Sequence, residues 1–168
     1  MAIKTVSFAA SDIGRIRASN QDSGYAGYNL FFVADGMGGH AGGDIASALT
    51  TQKVAKVDRV YDSPEEATKA LIDVIWEANA LLGTTAQQHP ELSGLGTTFS
   101  GIVFTGDRVT VGHIGDSRIY LARDGEVSQV TSDHTFVQRL VETGRITAEE
   151  FADEHARLFR AEWPDGRA

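Results

Sequence analysis

The 168-residue sequence contains no cysteine, which excludes disulfides, thiolate zinc sites and cysteine nucleophiles. It has no apolar run of the ~18–20 residues that a membrane-spanning helix needs, and its first residues do not form a convincing secretory signal. The net charge is −8, and no block is rich in lysine or arginine, so nucleic acid and anionic lipid are disfavoured as partners. These absences predict a cytoplasmic protein without a membrane span.

Hydrophobic residues make up 42% of the chain, which suits one compact domain, because domains commonly have ~100–200 residues. In the first half, apolar patterns predict three short strands, at residues 5–10, 25–28 and 30–34, and a helix over residues 45–57. A second helix is predicted to begin at Ser63-Pro64-Glu65-Glu66. This stretch combines an N-cap serine, a proline at the first helical position and a capping-box glutamate.

From Gly96 the hydrophobic period changes to two, which predicts a hairpin over residues 97–115 and another whose turn is Asp124-Gly125. Residues 136–143 are predicted to form a short helix, and Thr147-Ala148-Glu149-Glu150 reads as a second capping box. Sequential hairpins with helices between them favour an α+β fold with antiparallel sheet, and they disfavour a doubly wound parallel sheet.

The stretch LFFVADGMGGHAGGDIAS, residues 30–47, places Asp35 at the end of a buried strand and follows it with a glycine-rich loop. Gly38 to Gly43 is not a phosphate-binding P-loop, because Asp44 stands where lysine is required. A dinucleotide-binding reading is open, since a strand precedes the glycines and Asp58 follows at a suitable distance. A purely structural turn is a further reading, although it explains neither Asp35 nor His40.

A metal site explains both of these residues. Mg²⁺ and Mn²⁺ prefer carboxylate and carbonyl oxygens, and a strand-end aspartate is rigidly held. Gly36 permits its own carbonyl to approach a cation, and a histidine such as His40 titrates near neutral pH and can transfer a proton.

Two further polar clusters flank this motif. SDIGRIRASNQD, residues 11–22, contains Arg17 and Asp22, and solvated loop charges are the alternative reading for it. HIGDSRIY, residues 113–120, places Asp116 at a bend between two strands, where a simple Gly-Asp turn is the alternative. His113 alternates with Val109 and Val111, which favours a packed strand residue over a ligand.

Together these clusters resemble the metal-dependent protein serine/threonine phosphatases (the PPM or type 2C family) in their bacterial form. Four stretches carry the resemblance in order: SDIGRIRASNQD, FFVADGMGGHAGGDIAS, GLGTTFSGIVF and VGHIGDSRIYLARDGEVSQVTSDHTFVQRLVETGRIT. The resemblance implies a central β-sandwich of antiparallel sheets flanked by helices. It also implies metal-dependent hydrolysis of phosphoserine and phosphothreonine in proteins by an activated water, with two Mg²⁺ or Mn²⁺ ions and an additional weaker ion.

By this resemblance, Asp35 and Gly36 correspond to metal ligands and Asp116 to a ligand of the additional ion. Asp22 corresponds to the acid that orients a metal-bound water. Arg17 corresponds to the arginine that binds the substrate phosphate, and His40 to a histidine suited to general-acid work.

The family pattern continues further than this chain, which lacks two later metal-binding aspartates, so a C-terminally truncated domain is expected. Residues 1–168 are read as one partial phosphatase domain, with a flap over about residues 132–155 and a divergent tail over 156–168. A weak or inactive chain is therefore expected, and a non-catalytic remnant that binds phosphoproteins is one alternative. A nucleotide-binding protein is another. The resemblance implies phosphorylated proteins and an opposing serine/threonine kinase as partners.

Overall fold

A computed structural model describes residues 5–135, with the side chains of residues 39–41 excepted. The chain divides into one unit of residues 1–131 and a second of residues 132–168. Residues 132–135 of the second unit contain neither helix nor strand. The helix and the capping box predicted after residue 135 lie outside the described residues.

The first unit is built on a five-stranded antiparallel sheet. Its strands are β1 (Asp22–Ala26), β2 (Leu30–Met37), β3 (Gly96–Thr97), β4 (Phe99–Thr105) and β5 (Arg108–Ile114). They lie in the order β1-β2-β4-β5, and the short β3 pairs with the end of β2. The β4–β5 hairpin confirms the change to a two-residue period that the sequence shows after Gly96.

Two helices cover one face of this sheet, α1 (Gly39–Val54) and α2 (Pro64–Gln88). The predicted N-cap of α2 is confirmed, because the Ser63 hydroxyl accepts the Glu66 N–H at 3.1 Å. The second half of the predicted capping box is wrong. The Glu66 carboxylate accepts the Asp62 N–H at 3.0 Å and pairs with Arg59 at 2.7 Å, so it reaches a residue earlier than the N-cap.

The hydrophobic core lies between the helices and this sheet face. Strand side chains alternate between the two faces, so every second residue of β2 points into the core. The core cluster contains Leu30, Phe32, Val54, Tyr61, Ala67, Leu71, Val74, Phe99 and Val103. Phe32 is at its centre, 4% exposed, with ring centroids 5.6 Å from Tyr25 and 5.2 Å from Phe99.

The opposite face of the sheet, called the open face below, carries the alternate residues of the same strands. Phe31 of β2 lies beside Ile102 of β4, which lies beside Val111 of β5. The next register position places Val33 beside Ser100, and Val33 is 51% exposed. Within the described part of the chain, no helix covers this apolar face.

A second, two-stranded sheet pairs β6 (Tyr120–Arg123) with β7 (Glu126–Gln129). Its turn confirms the Asp124-Gly125 prediction, since both residues adopt positive φ, 54° and 83°, as a type I′ hairpin turn requires.

Two further sequence predictions are wrong in this unit. Residues 5–10 do not form a strand, and Val6 and Phe8 are each 92% exposed, because this segment pairs with no strand in residues 5–135. Helix α1 begins at Gly39, six residues before the predicted start at Ile45. The glycine-rich stretch therefore supplies the first turn of a helix that tertiary packing stabilises against its low propensity.

Candidate functional site

Asp22 and Asp35 face each other across the β1–β2 pairing. Asp22 is the first residue of β1, Asp35 lies near the end of β2, and the antiparallel register makes them direct partners. Directly opposed residues have Cβ atoms ~4.5–5.5 Å apart, and the two carboxyl groups are close enough to interact by a hydrogen bond. Opposed carboxylates are unfavourable unless a proton or a cation lies between them.

The pKa of Asp35 is raised above its ordinary value of 3.8. Partial removal from water is the largest cause, although the side chain is still open to solvent on one side. The charge of Asp22 and the hydrogen bond with it raise the pKa further, Arg17 lowers it, and Asp116 raises it again. Two further carboxylates and one guanidinium therefore act on Asp35 at this end of the sheet.

The carboxylates border a cleft of about 850 Å³ beside the open face. Asp12, Asp22, Asp35, Ser100 and Ser117 are among its lining residues. Arg17 and Asp116 are not in that lining, yet their charges act on Asp35. The structure thus brings together Arg17, Asp22, Asp35 and Asp116, four of the six residues that the sequence analysis assigned to the site.

Gly36 follows Asp35 directly and lies against Gly43 in α1. A β-carbon on Gly36 would lie 1.8 Å from the Gly43 carbonyl oxygen, and one on Gly43 would lie 2.7 Å from the Gly36 oxygen. Strand and helix therefore meet backbone to backbone, which only glycine permits. In this pair the missing side chains leave room for the two backbones to approach each other.

The backbone of His40 lies in the first turn of α1, and its side chain is outside the described part. Two other polar residues of the 11–22 segment have structural roles. Asp12 accepts the Gly14 N–H at 2.7 Å, which is a local turn. Asn20 accepts the Asp22 N–H at 3.0 Å and donates to the Ser11 hydroxyl at 2.7 Å, so it fixes the start of β1.

Asp58 closes the turn between β1 and β2. Its carboxylate accepts the N–H groups of Tyr28, Asn29 and Leu30 at 2.6, 2.9 and 3.1 Å, and the Tyr25 hydroxyl at 3.1 Å. A dinucleotide-binding protein would use such an acid on a ribose. Here its acceptor capacity is used by the fold, and the sheet is antiparallel, so both observations oppose the dinucleotide reading.

Thr98, which the sequence analysis did not single out, holds the Asp35 peptide. Its hydroxyl accepts the Asp35 N–H at 2.9 Å, and its own N–H donates to the Asp35 carbonyl at 2.8 Å. The Thr97 hydroxyl donates to the same carbonyl at 2.9 Å. The paired threonines within GLGTTFSGIVF were the available signal, since adjacent hydroxyls before a buried strand are suited to backbone bonding.

The atoms with which Asp22, Asp35, Gly36 and Asp116 could bind a metal are all oxygens, the ligand type that Mg²⁺ and Mn²⁺ prefer. In residues 5–135, no three His, Asp or Glu side chains are close enough to hold one ion. The opposed pair Asp22 and Asp35 therefore fits as part of a cation shell and not as a complete one. No helix in the described ranges is long and apolar enough to cross a membrane.

Residues 16–168 match the sequence model of a family described as protein phosphatase 2C. Serine/threonine protein phosphatase PstP from Mycobacterium tuberculosis is 49% identical over 143 residues, which cover 84% of this chain and 27% of that protein. Serine/threonine phosphatase stp from Listeria welshimeri is 34% identical over 168 residues, covering 94% of this chain and 66% of that protein. The chain thus spans less than two thirds of these curated relatives.

Solved structures agree with these sequence matches. The crystal structure of the Mycobacterium tuberculosis phosphatase superimposes with a TM-score of 0.78 at 46% identity, over 84% of this chain and 60% of that one. The catalytic domain of PstP in complex with two manganese ions superimposes with a TM-score of 0.77 at 45% identity, over 84% of this chain and 61% of that domain. The antiparallel α+β fold predicted from the sequence is confirmed by this likeness.

Proposed function

Because this chain belongs to the protein phosphatase 2C family, we propose that it carries part of a metal-dependent site that hydrolyses phosphoserine and phosphothreonine in proteins. The observation that supports this most is the pairing of Asp22 with Asp35, with the charges of Asp116 and Arg17 acting on Asp35. The named relatives are serine/threonine phosphatases, and one solved relative contains two manganese ions.

Mg²⁺ or Mn²⁺ is the cofactor of this proposal. The Asp35 carboxylate and the Gly36 carbonyl would hold the two ions, and Asp116 an additional one. Bound divalent ions would lower the pKa of the attacking water and neutralise charge on the phosphate oxygens. The raised pKa of Asp35 supports this assignment, because a carboxyl group that is costly to ionise without a counter-charge is suited to holding a cation.

The remaining residues act on substrate and water. Arg17 grips two phosphate oxygens, since a guanidinium offers two parallel donors in a fixed fork. Asp22 accepts a hydrogen bond from the attacking water and orients it. His40 donates a proton to the leaving serine or threonine oxygen, a role commonly worth ~10²–10⁴ in rate.

The proposal extends to the organisation and setting of the protein. Residues 1–168 form one partial phosphatase domain, with the flap over residues 132–155 and the tail over 156–168. Its substrates are cytoplasmic phosphoproteins, and its counterpart is a serine/threonine kinase that phosphorylates them. A non-catalytic phosphoprotein binder is the second candidate, because the chain spans about 60% of the solved relatives and the described residues supply only part of a cation shell.

Phosphate release from a phosphothreonine peptide, measured across a Mn²⁺ titration, tests this function. We expect release that requires Mn²⁺, at a rate below that of full-length family enzymes. Asp35→Asn should abolish it. Asp107→Asn is the matched control, since this aspartate lies in the β4–β5 turn, at the other end of the sheet, and should leave release unchanged.

The outcomes separate the candidates. Release that survives Asp35→Asn would contradict the proposed site. No release by folded protein, together with phosphopeptide binding that Arg17→Ala removes, would favour the non-catalytic binder. Binding of NAD or ATP without metal-dependent hydrolysis would favour the nucleotide-binding alternative.

A further inference from the structure

Thr98 bonds to both strand β2, which carries Asp35, and the loop after β5, which carries Asp116. It is buried, with 8% of its surface exposed, at the junction of β3 and β4. Its hydroxyl and its N–H are bonded to the two sides of Asp35, to the N–H at 2.9 Å and the carbonyl at 2.8 Å. Thr98 thus bonds both the N–H and the carbonyl of a residue more than sixty positions away, and Thr97 adds a second bond to that carbonyl.

The same hydroxyl also reaches the loop after β5. Thr98 Oγ1 lies 2.7 Å from Ser117 Oγ, and Ser117 directly follows Asp116. A hydroxyl has one hydrogen and two lone pairs, so Thr98 can accept from Asp35 and still bond Ser117. Thr98 also packs closely against Gly115 in the same loop, because a β-carbon on Gly115 would lie 2.7 Å from the Thr98 methyl carbon.

A second bond fixes the Ser117 backbone. The Ser100 hydroxyl donates to the Ser117 carbonyl at 2.8 Å, and Ser100 Oγ lies 2.9 Å from His113 Nδ1. Because the Ser100 hydrogen is used on Ser117, the His113 Nδ1 must carry the proton in this contact. Ser117 is thus held through its side chain by Thr98 and through its carbonyl by Ser100.

We propose that Thr98 is a positioning residue that fixes the separation of Asp35 and Asp116. The assignment of these two aspartates as metal ligands rests on the proposed function. Its single hydroxyl joins the Asp35 peptide to the residue that follows Asp116. The link is buried, so water does not replace it readily when it is removed. Loss of the hydroxyl should loosen the connection between β2 and the loop after β5, while the Thr98 N–H still holds the Asp35 carbonyl and Ser100 still holds the Ser117 carbonyl. A cation should then bind more weakly.

Mn²⁺ affinity measured by calorimetry, without substrate, tests this role. Thr98→Val keeps the shape of the side chain and removes the hydroxyl, and should weaken Mn²⁺ binding by about 10-fold, the lower end of what outer-shell changes cost. Thr98→Ser keeps the hydroxyl and should restore affinity close to wild type. Ser117→Ala leaves the Asp35 bond intact and should weaken binding less than Thr98→Val does.

Thr105→Val is the matched control. Thr105 is the last residue of β4, the strand that begins directly after Thr98, and it is 9% exposed. Its buried hydroxyl has no hydrogen-bond partner within the described residues. Removing that hydroxyl should leave Mn²⁺ affinity unchanged. A folded Thr98→Val protein with the affinity of the Thr105→Val protein would overturn the proposal.

Amide hydrogen exchange in metal-free protein gives a second readout. The Asp35 N–H should exchange faster in Thr98→Val and not in Thr105→Val, because only the former loses its acceptor. Equal exchange in the two variants would also contradict the role of Thr98. If wild type releases no phosphate while both Thr98 effects are found, the proposed function fails and the positioning role stands. If release occurs normally and neither effect is found, only the positioning role fails.

Discussion

The two faces of the five-stranded sheet use the same strands for different purposes. On the helix-covered face, no more than 4% of the surface of Leu30, Phe32 and Ala34 in β2 is exposed. On the open face, Val33 is half exposed and Asp35 shares its side of the strand. One face stabilises the fold through packing, and the other holds a cluster of like charges at its end. A single strand thus carries both, because its side chains alternate.

This difference separates stability from chemistry in a measurable way. Substitutions on the helix-covered face should reduce the free energy of unfolding and leave metal affinity unchanged in the folded protein. Changes at the carboxylate end of the open face should alter metal binding while leaving the fold intact or more stable.

Adjacent phenylalanines give the largest expected contrast. Phe32→Ala should reduce the free energy of unfolding by about 3–5 kcal/mol, because it removes a buried ring from the centre of the core. Phe31→Ala, one residue earlier and on the open face, should cost about 0.5–1.5 kcal/mol, mainly its edge-on contact with Phe104 at 5.9 Å. Urea unfolding of both variants measures this. Equal losses would mean that the open face is covered in solution and that the two faces do not differ.

The Asp58 clamp, in which the Asp58 carboxylate accepts the backbone N–H groups of the β1–β2 turn, should affect both stability and metal binding. Asp58→Asn should cost about 1–3 kcal/mol, since an amide replaces a carboxylate that accepts three backbone N–H groups. It should also weaken Mn²⁺ binding, because this turn sets the register that opposes Asp22 to Asp35. Chemical unfolding and calorimetry measure the two effects. The exposed Asp62 offers a control, Asp62→Asn, which should change neither.

Asp35→Asn should stabilise the metal-free protein. The pKa of Asp35 is raised in the folded state. The free energy of unfolding therefore falls as pH rises from the pKa of the unfolded chain through the pKa of the folded protein, and at neutral pH the ionised Asp35 destabilises the fold by that amount. Removing the charge should raise Tm at pH 7.5 by roughly 1–3 °C. Added Mn²⁺ should raise Tm for wild type and not for the variant. A lower Tm for metal-free Asp35→Asn would contradict the picture of uncompensated carboxylates.

The smallest expected effect lies far from the open face, at the start of α2. The pKa of Glu66 is lowered, first by its hydrogen bond with Arg59. A lowered carboxyl pKa contributes stability above its unfolded value of 4.5, and that contribution is lost as pH falls through the folded pKa. The stability advantage of wild type over Glu66→Gln should therefore shrink between pH 6 and pH 3 in urea unfolding. An advantage that grows on acidification would contradict the assignment.

Local signals in the sequence predicted local structure well. Ser63 caps α2 and Asp124-Gly125 turns the β6–β7 hairpin, because each depends on side chains within three residues. Residues 5–10 have a strand-like pattern, but a strand also needs a partner, and the pattern cannot supply one. The early start of α1 was missed for a similar reason, since glycine disfavours helix locally and the start of α1 packs against distant segments, with Gly43 against Gly36 and Gly42 against Leu95.

The candidate site shows the same division. Asp35 was identified from its place at a strand end, and Asp22, Asp116 and Arg17 from the family resemblance. Their convergence was not readable from spacing, because the β1–β2 register depends on Asp58, about thirty residues further along the chain. Thr98 and Ser117 were missed because a hydroxyl becomes informative only once its partners are known.

The Asp58 clamp also bears on the order of folding. The β1–β2 hairpin is local and can pair early, since such hairpins form in ~1–10 μs. Its turn N–H groups find their acceptor only when the chain returns through the whole of α1, a separation of 30 residues. Until then the hairpin ends in solvated amides and its register is free to slip. We therefore expect formation of α1 to be the step that commits the two acidic strands to their final alignment.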